Sequence, residues 1–366
     1  MNNESITIES HFGNYDVLLE KDFSFINKLI EIDKSYWVID KNVSVYYETL
    51  FSNIPLSKKF ILEATEDNKI IDKALEICEK LASFDAKRNI ALISVGGGIV
   101  QDITGFVANI MYRGILWYFI PTTLLAACDS CIGSKTSLNY KKFKNLLGTF
   151  YPPTKLYIYP GFFNTLSQKD YYSGLGEVIK FNIMSGESSI SYLEDSMGRI
   201  LKKEPSEIKN IIRKSLLFKK SFIEVDEFDK GERIKLNFAH TFGHSIEVLS
   251  KYIIPHGTAV AIGMIIANRI SFLRNYVTKD FIERSEKLLL RVINIDIRYL
   301  NRPIEDYISV IRKDKKQIDS SLTCVLITEA KPEGCVLEVK HDLMPNELEE
   351  AVNYFISCYE LKKNEN

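Results

Sequence analysis

Three of the chain's five histidines fall in one short window, Leu236 to Gly257. It reads Leu236-Asn237-Phe238-Ala239-His240-Thr241-Phe242-Gly243-His244-Ser245-Ile246-Glu247, with Pro255-His256-Gly257 shortly after. His240 and His244 are four residues apart, so a helix would carry both on one face, with Asn237 a turn earlier. Neutral imidazole is the commonest nitrogen ligand for zinc, and two at this spacing can reach one ion. A helix with two ordinary polar contacts and an unrelated third histidine fits the same residues, so spacing alone leaves both readings open.

A second chemistry-bearing stretch is Asn89–Val95, a strand running directly into Gly96-Gly97-Gly98 and then a helix. Glycines let backbone amides approach a pyrophosphate, and a helix N-terminus favours negative charge. The six-residue dinucleotide fingerprint is absent, and a plain strand-to-helix turn would look the same. Asp102 and Arg113 follow on the helix and its exit. A third stretch, 121–155, crowds Asp129, Lys135, Thr136, Asn139, Lys141, Lys142, Lys144 and Asn145 among Gly133 and Gly148. Such donors suit a phosphorylated ligand, although a solvated basic loop has the same composition. Cys128 and Cys131 have the spacing of a redox or zinc pair, but no second pair accompanies them, so neither role is expected.

These residues need a scaffold to hold them. At 366 residues the chain can form two domains, and 46% hydrophobic with 26% charged residues is ordinary for a soluble globular protein. A net charge of −1 suggests no nucleic-acid partner. The N-terminus lacks a basic start before an apolar stretch, so no signal peptide is expected. Gly114–Ala127, broken by Pro121, is too short to span a bilayer, so no membrane partner is expected. Six scattered cysteines fit reduced thiols in a cytoplasm. Strands are expected at Tyr36–Asp40, Phe60–Leu62, Asn89–Val95, Leu116–Ile120 and Thr323–Thr328. Helices are expected at Ile70–Phe84, after a Ser167 cap, at Ser206–Glu224 and at Thr258–Leu273. Pro152-Pro153 and Pro160-Gly161 mark a boundary, giving domains of 1–160 and 161–366. The polar end, Lys362–Asn366, is expected to fray.

Together the motifs resemble the sugar phosphate cyclases, the superfamily of 3-dehydroquinate synthase. The resemblance runs from about Asp40 to Lys316. It rests on Gly96-Gly97-Gly98 with Asp102, Arg113-Gly114, Pro121-Thr122-Thr123-Leu124-Leu125-Ala126, Asp129-Ser130, Lys135-Thr136 and Lys144-Asn145. Gly176-Glu177-Val178-Ile179-Lys180, Asp226-Glu227, Leu236-Asn237, His240-Thr241, Gly243-His244 and His256-Gly257 complete it.

The resemblance implies an α/β N-terminal nucleotide-binding domain, an all-α C-terminal metal-binding domain, and a site between them. It implies NAD⁺ as a recycled cofactor and a divalent metal, zinc or cobalt, on Glu177, His240 and His256. His244 then turns to substrate instead of metal. It implies cofactor contacts from Asp40, Glu66, Lys69, Gly97, Gly98, Asp102, Thr122 and Thr123. Catalytic roles fall to Lys135, Lys180, Lys219, Arg233, Asn237 and His244. Further substrate contacts come from Asp129, Lys144, Asn145 and one of Lys315 and Lys316, taken as Lys316. Arg113 would be lent to a neighbouring subunit, which implies a homodimer. The implied substrate is a phosphorylated keto acid, 3-deoxy-arabino-heptulosonate 7-phosphate, closed to 3-dehydroquinate with loss of phosphate in the shikimate pathway. Aminodehydroquinate, deoxy-inosose and valiolone-type synthases are alternatives within the superfamily, and iron-type alcohol dehydrogenases lie further off. The chain departs from the pattern at Cys131, Ser134, Ala239 and Asp229. The first three add a side chain that could narrow the pocket.

Overall fold

The structure is a computed structural model that describes residues 4–84, 87–141, 143–313 and 322–365. The chain divides into two compact units, Met1–Leu166 with Ile208–Phe228, and Ser167–Glu207 with Asp229–Asn366. Residues 208–228 thus group with the first unit, where the sequence-based division put everything after residue 160 in the second.

The strands are β1 (Glu4–Ile8), β2 (Tyr15–Leu19), β3 (Ser35–Asp40), β4 (Lys59–Leu62), β5 (Ala91–Gly96), β6 (Leu116–Pro121), β7 (Lys135–Tyr140), β8 (Phe143–Phe150), β9 (Lys155–Ile158), β10 (Leu322–Glu329) and β11 (Val336–Leu343). In the first unit seven of them form one sheet, in the order β1-β2-β9-β6-β5-β3-β4. All neighbours are parallel except β1 with β2. β5 is buried at every position and β3 at all but its last, as expected for apolar runs covered on both faces. β3, β5 and β6 end at Asp40, Gly96 and Pro121, adjacent along the carboxyl edge of the sheet. In open α/β sheets that edge is where ligands bind. The expected strands lie within about two residues of the observed ones. β1, β2, β9, β11 and the β7–β8 hairpin were not expected.

Helix α1 (Ile71–Ser83) precedes β5, and α2 (Gly98–Ile110) leaves it directly. The second unit is mainly helical, with a single hairpin, β10–β11, among the described residues. Its site-bearing helices are α3 (Gln168–Met184), α5 (His240–Leu249) and α6 (His256–Leu273); α4 (Pro205–Ile223) joins the units and α7 (Pro345–Glu365) closes the chain. The Ser167 hydroxyl accepts the Asp170 N–H at 3.1 Å, so the expected cap is present. α6 is apolar nearly all round because it is a core helix. It is also the one helix, among the described residues, long and apolar enough for a membrane span, and 78% of that window is buried. The polar end expected to fray is helical to Glu365.

Candidate metal and nucleotide sites

In the second unit Glu177 is fully buried on α3. Its Oε1 lies 3.5 Å from His240 Nε2 and 3.2 Å from His256 Nε2, and its Oε2 lies 2.5 Å from Lys180 Nζ. Neither Glu177 oxygen meets hydrogen-bond geometry with any described residue. A buried carboxylate left in that state is costly unless something else satisfies it. Tetrahedral ligands about 2.1 Å from a zinc ion stand about 3.4 Å apart, which is the spacing of these atoms. The Glu177, His240 and His256 donors therefore fit one divalent ion.

Two of the three protonation states suit a metal as they stand; burial alone would lower His256, but Glu247 and Glu177 raise it to about 10, so a bound ion would have to displace its proton. Burial alone would raise the Glu177 carboxyl, but Lys180, with His240 behind it, holds it well below its ordinary value. Burial and the Lys180 ammonium push His240 down to about 3, so it stays neutral. His240 Nδ1 is 3.0 Å from the Phe238 carbonyl, which leaves Nε2 with its lone pair toward Glu177. His244 lies beside both ligands, its ring centroid 5.4 Å from that of His240 and 5.9 Å from that of His256. A second group, His244, Glu247 and His256, is also close enough to hold an ion. It is the weaker of the two, because Glu247 Oε2 already engages His256 Nδ1 at 3.1 Å.

Backbone detail corrects two expectations. His256 was expected in a loop before a helix, and it is instead the first residue of α6. There the Gly257 N–H donates to Ser173 Oγ at 3.0 Å, so α3 caps α6. Asn237 was expected on the same helix as His240. It ends a separate 3₁₀ helix, Glu232–Asn237, which also carries the buried Arg233. Ala239 breaks the two apart with φ of 69°, a left-handed conformation that glycine adopts at less cost.

In the first unit the glycine turn behaves as expected. Gly97 stands at the N-cap of α2 and Gly98 opens it. A Cβ on Gly97 would lie 3.0 Å from Thr123 Cγ2, so Thr123 packs against the turn. Thr122 donates its N–H to the Gly96 carbonyl at 2.9 Å. Asp40, at the end of β3, accepts the Asn42 and Val43 N–H groups at 2.7 and 3.2 Å through one oxygen, Oδ1.

Asp102, one turn into α2, is the hub of a network. Lys69 Nζ lies 2.5 Å from its Oδ2 and donates to Asn145 Oδ1 at 2.7 Å. The Ser137 N–H donates to Asp102 Oδ1 at 3.0 Å. Glu66 accepts from Asn139 Nδ2 at 2.8 Å and lies 3.5 Å from Lys144 Nζ. Lys144 and Asn145, assigned by resemblance to substrate, thus stand among the residues assigned to cofactor. Burial raises the Asp102 carboxyl above its ordinary value against the pull of Lys69 and Ser137. Elsewhere in the unit Lys219 Nζ donates to Asp129 Oδ1 at 2.6 Å and to its carbonyl at 2.7 Å. Lys135 is exposed at the start of β7. Arg113 is exposed after α2 in a turn of three positive-φ residues, with no ion pair among the described residues. Lys315 and Lys316 lie outside the described residues.

Two of the departures besides Ala239 have definite placements. Ser134 (φ 64°) turns its hydroxyl to Glu227 Oε1 at 2.6 Å. Cys131 is buried with Cys128, and burial pushes its thiol up to about 12. Sequence reasoning passed over Glu247 and Ser137. Glu247 had a usable signal, since it lies seven residues after His240 and so on the same helix face; Ser137 had none.

The layout is that of a nucleotide-binding α/β unit joined to a helical unit with a one-carboxylate, two-imidazole cluster. Solved structures with the same fold include a 2-deoxy-scyllo-inosose synthase complexed with carbaglucose-6-phosphate, NAD⁺ and Co²⁺ (TM-score 0.78, 21% identity, 96% of this chain and 99% of that one). Another is the 2-epi-5-epi-valiolone synthase of Streptomyces hygroscopicus subsp. jinggangensis with NAD⁺ and Zn²⁺ (TM-score 0.80, 21% identity, 98% and 99%). An iron-containing alcohol dehydrogenase of Thermotoga maritima is more distant, with a TM-score of 0.59 at 13% identity. The fold is thus that of the sugar phosphate cyclases. The 3-dehydroquinate synthase N-terminal model matches residues 59–173 and the C-terminal model matches 174–317. The 3-dehydroquinate synthase of Clostridium tetani is 38% identical over 86% of this chain and 84% of its own. That of Dictyoglomus turgidum is 36% identical over 89% and 92%. The chain belongs to the 3-dehydroquinate synthase family.

Proposed function

We propose that the chain converts 3-deoxy-arabino-heptulosonate 7-phosphate to 3-dehydroquinate and phosphate, as an NAD⁺- and metal-dependent carbon–oxygen lyase of aromatic amino acid biosynthesis. One observation carries the chemistry: the buried Glu177 carboxylate, ion-paired to Lys180 through Oε2, turns Oε1 to two imidazole nitrogens at ligand spacing. Three protein ligands leave open positions, as a catalytic metal needs. When bound, NAD⁺ would accept and return a hydride, and the metal would lower the pKa of substrate hydroxyls.

The chain's own groups do the rest. Glu177, His240 and His256 hold the metal, and Lys180 keeps Glu177 ionised. Gly97 and Gly98 leave backbone N–H groups open to the cofactor's phosphates, and Asp40 keeps Oδ2 for a ribose hydroxyl. Lys69, locked to Asp102 and Asn145, presents one oriented cation. Glu66, Thr122 and Thr123 line the same carboxyl edge. Lys144 belongs to this nucleotide end, while Asp129, Lys135, Lys219 and His244 handle the phosphorylated substrate. Arg233 and Asn237, three residues apart, hold its carboxylate. A charge-assisted hydrogen bond from Arg233 to a carboxylate contributes about 1.5–3 kcal/mol, which a substrate lacking that group would not gain. Neutral sugar phosphates are disfavoured accordingly. The departing phosphate can itself take the proton, so no dedicated strong base is required.

The enzyme is proposed to work as a cytoplasmic homodimer. Six free thiols support the compartment. Exposed Ile110, Tyr112 and Leu116 around Arg113 support the dimer, with Arg113 reaching the partner's substrate. Phosphate release from a panel of sugar phosphates with NAD⁺ tests the reading. The heptulosonate phosphate should be turned over with no net NADH. Faster cyclisation of glucose 6-phosphate or sedoheptulose 7-phosphate would overturn the substrate assignment. One NADH per turnover would favour an alcohol dehydrogenase.

A further inference from the structure

Metal-ligating histidines have two ring nitrogens, and the group that holds the outer one decides which way the inner lone pair points. The two histidines of this cluster meet that need differently. His240 uses a neutral main-chain carbonyl, Phe238, at 3.0 Å. His256 uses an ionisable side chain, with Glu247 Oε2 3.1 Å from its Nδ1. The opposite ring atom, Nε2, then faces Glu177 Oε1 at 3.2 Å.

We propose that Glu247 is a positioning residue for the metal site, holding His256 in the tautomer and orientation that present Nε2 to the ion. This rests on the metal assignment above. Three observations support it. Glu247 is 9% exposed, so its contact with the ring is shielded from water. Its place is fixed by α5, two helical turns after His240, so one helix face carries both a ligand and the orienter of the next ligand. His256 also has more need of an orienter, since its side chain is 32% exposed against 11% for His240. A carboxylate, unlike a carbonyl, also strengthens the ring as a donor, because its charge favours electron density at the far nitrogen. As a direct ligand Glu247 would draw charge away from the contact its Oε2 makes with His256 Nδ1.

The test is Zn²⁺ and Co²⁺ affinity of the metal-free full chain, by competition with a chelator, for the parent and for Glu247→Gln, Glu247→Ala and His256→Ala. Positioning residues of this type change metal affinity by about 10–100-fold. Glu247→Ala should weaken binding within that range. Glu247→Gln, which keeps an acceptor but loses the charge, should weaken it less and shift the Co²⁺ visible absorption bands. Metal-free melting temperatures should stay close to the parent's for Glu247→Gln, which separates positioning from folding should the alanine variant fail to fold. Parent-like affinity and an unchanged Co²⁺ spectrum in Glu247→Gln, with metal lost from His256→Ala, would overturn the role of Glu247 and leave the metal site standing. Full metal occupancy in His256→Ala, or none in the parent, would overturn the metal site itself.

Discussion

Gly176 and Gly257 touch backbone to backbone. A Cβ on Gly176 would lie 2.0 Å from the Gly257 carbonyl oxygen, and one on Gly257 would lie 1.7 Å from the Ser173 carbonyl oxygen. Each glycine adjoins a ligand, Glu177 or His256. The closeness of α3 and α6 at this point is therefore what puts the carboxylate within 3.2 Å of the imidazole. α5 and α6 use the same device, since a Cβ on Gly263 would lie 2.5 Å from the Ala239 carbonyl oxygen.

Gly257→Ala should accordingly cost stability and metal together. Backbone cannot move aside as a flexible side chain can, so the loss should reach about 3 kcal/mol, at or above the upper end for overpacking. Chemical denaturation of the metal-free chain and elemental analysis would measure the two effects. An alanine variant with parental stability and full metal would show that the helices have room to separate.

The ligand set predicts its own metal dependence. A chelator should abolish activity, and Zn²⁺ or Co²⁺ should restore it. His240→Ala should bind no stoichiometric metal, because two remaining ligands hold an ion poorly. Arg233→Ala, by contrast, should keep its metal and lose kcat/KM for the carboxylated substrate by about tenfold or more, from about 1.4 kcal/mol per tenfold.

Acid should weaken one particular clasp. Glu227 accepts from Ser134 and Ser10 hydroxyls and from the His11 N–H, at 2.6, 2.7 and 2.9 Å. Burial alone would raise its carboxyl, but these bonds hold it below its ordinary value. A carboxyl depressed in the folded state adds stability above its unfolded pKa of about 4.3 and loses it as pH falls through the folded value. Glu227→Gln should therefore melt below the parent at pH 7, and the gap should close as pH drops below about 4.5. A gap independent of pH would mean that the charge contributes nothing.

The cysteine pair gives a simpler expectation. With the Cys131 thiol raised to about 12, almost no thiolate exists at pH 8, and Cys128 is equally buried. A thiol reagent should label the partly exposed Cys78, Cys335 and Cys358 of the native chain slowly, since burial raises their thiols too, and leave the buried Cys128 and Cys131 unmodified until unfolding. Labelling of Cys131 in the native state would revive a redox reading.

Some of this was legible in the sequence because it is local. Apolar runs ending in Asp40 and Gly96 announce parallel strands and their functional edge, and Ser167 announces a cap. The metal triad was not legible from spacing. On a helix His240 and His244 share a face, yet the third dimension gives His240 to Glu177 from α3 and to His256 from α6. Nor did the lysine-rich segment read as a hairpin, since alternation in β7–β8 serves hydrogen-bonding partners such as Asp102 and Glu66 instead of an apolar face. The left-handed Ala239 was equally hidden, because alanine carries no sequence signal for a positive φ.

That hairpin sets up the last prediction, on Lys69 and Asp102. The two side chains are 9% and 19% exposed and 2.5 Å apart. Asn145 and Ser137, both from the hairpin, complete their hydrogen bonds. A pair this enclosed costs more when one partner is removed than when both are, because the survivor is left buried and unpaired. Lys69→Met and Asp102→Asn should each weaken NAD⁺ binding and lower stability by about 1–3 kcal/mol. The double variant should lose clearly less than the sum, with a coupling of about 1 kcal/mol or more. Isothermal titration with NAD⁺ and denaturant unfolding of the four proteins would close the cycle. If the two losses simply added, Lys69 and Asp102 would be acting on the nucleotide separately, and the network drawn here would be packing without energetic consequence.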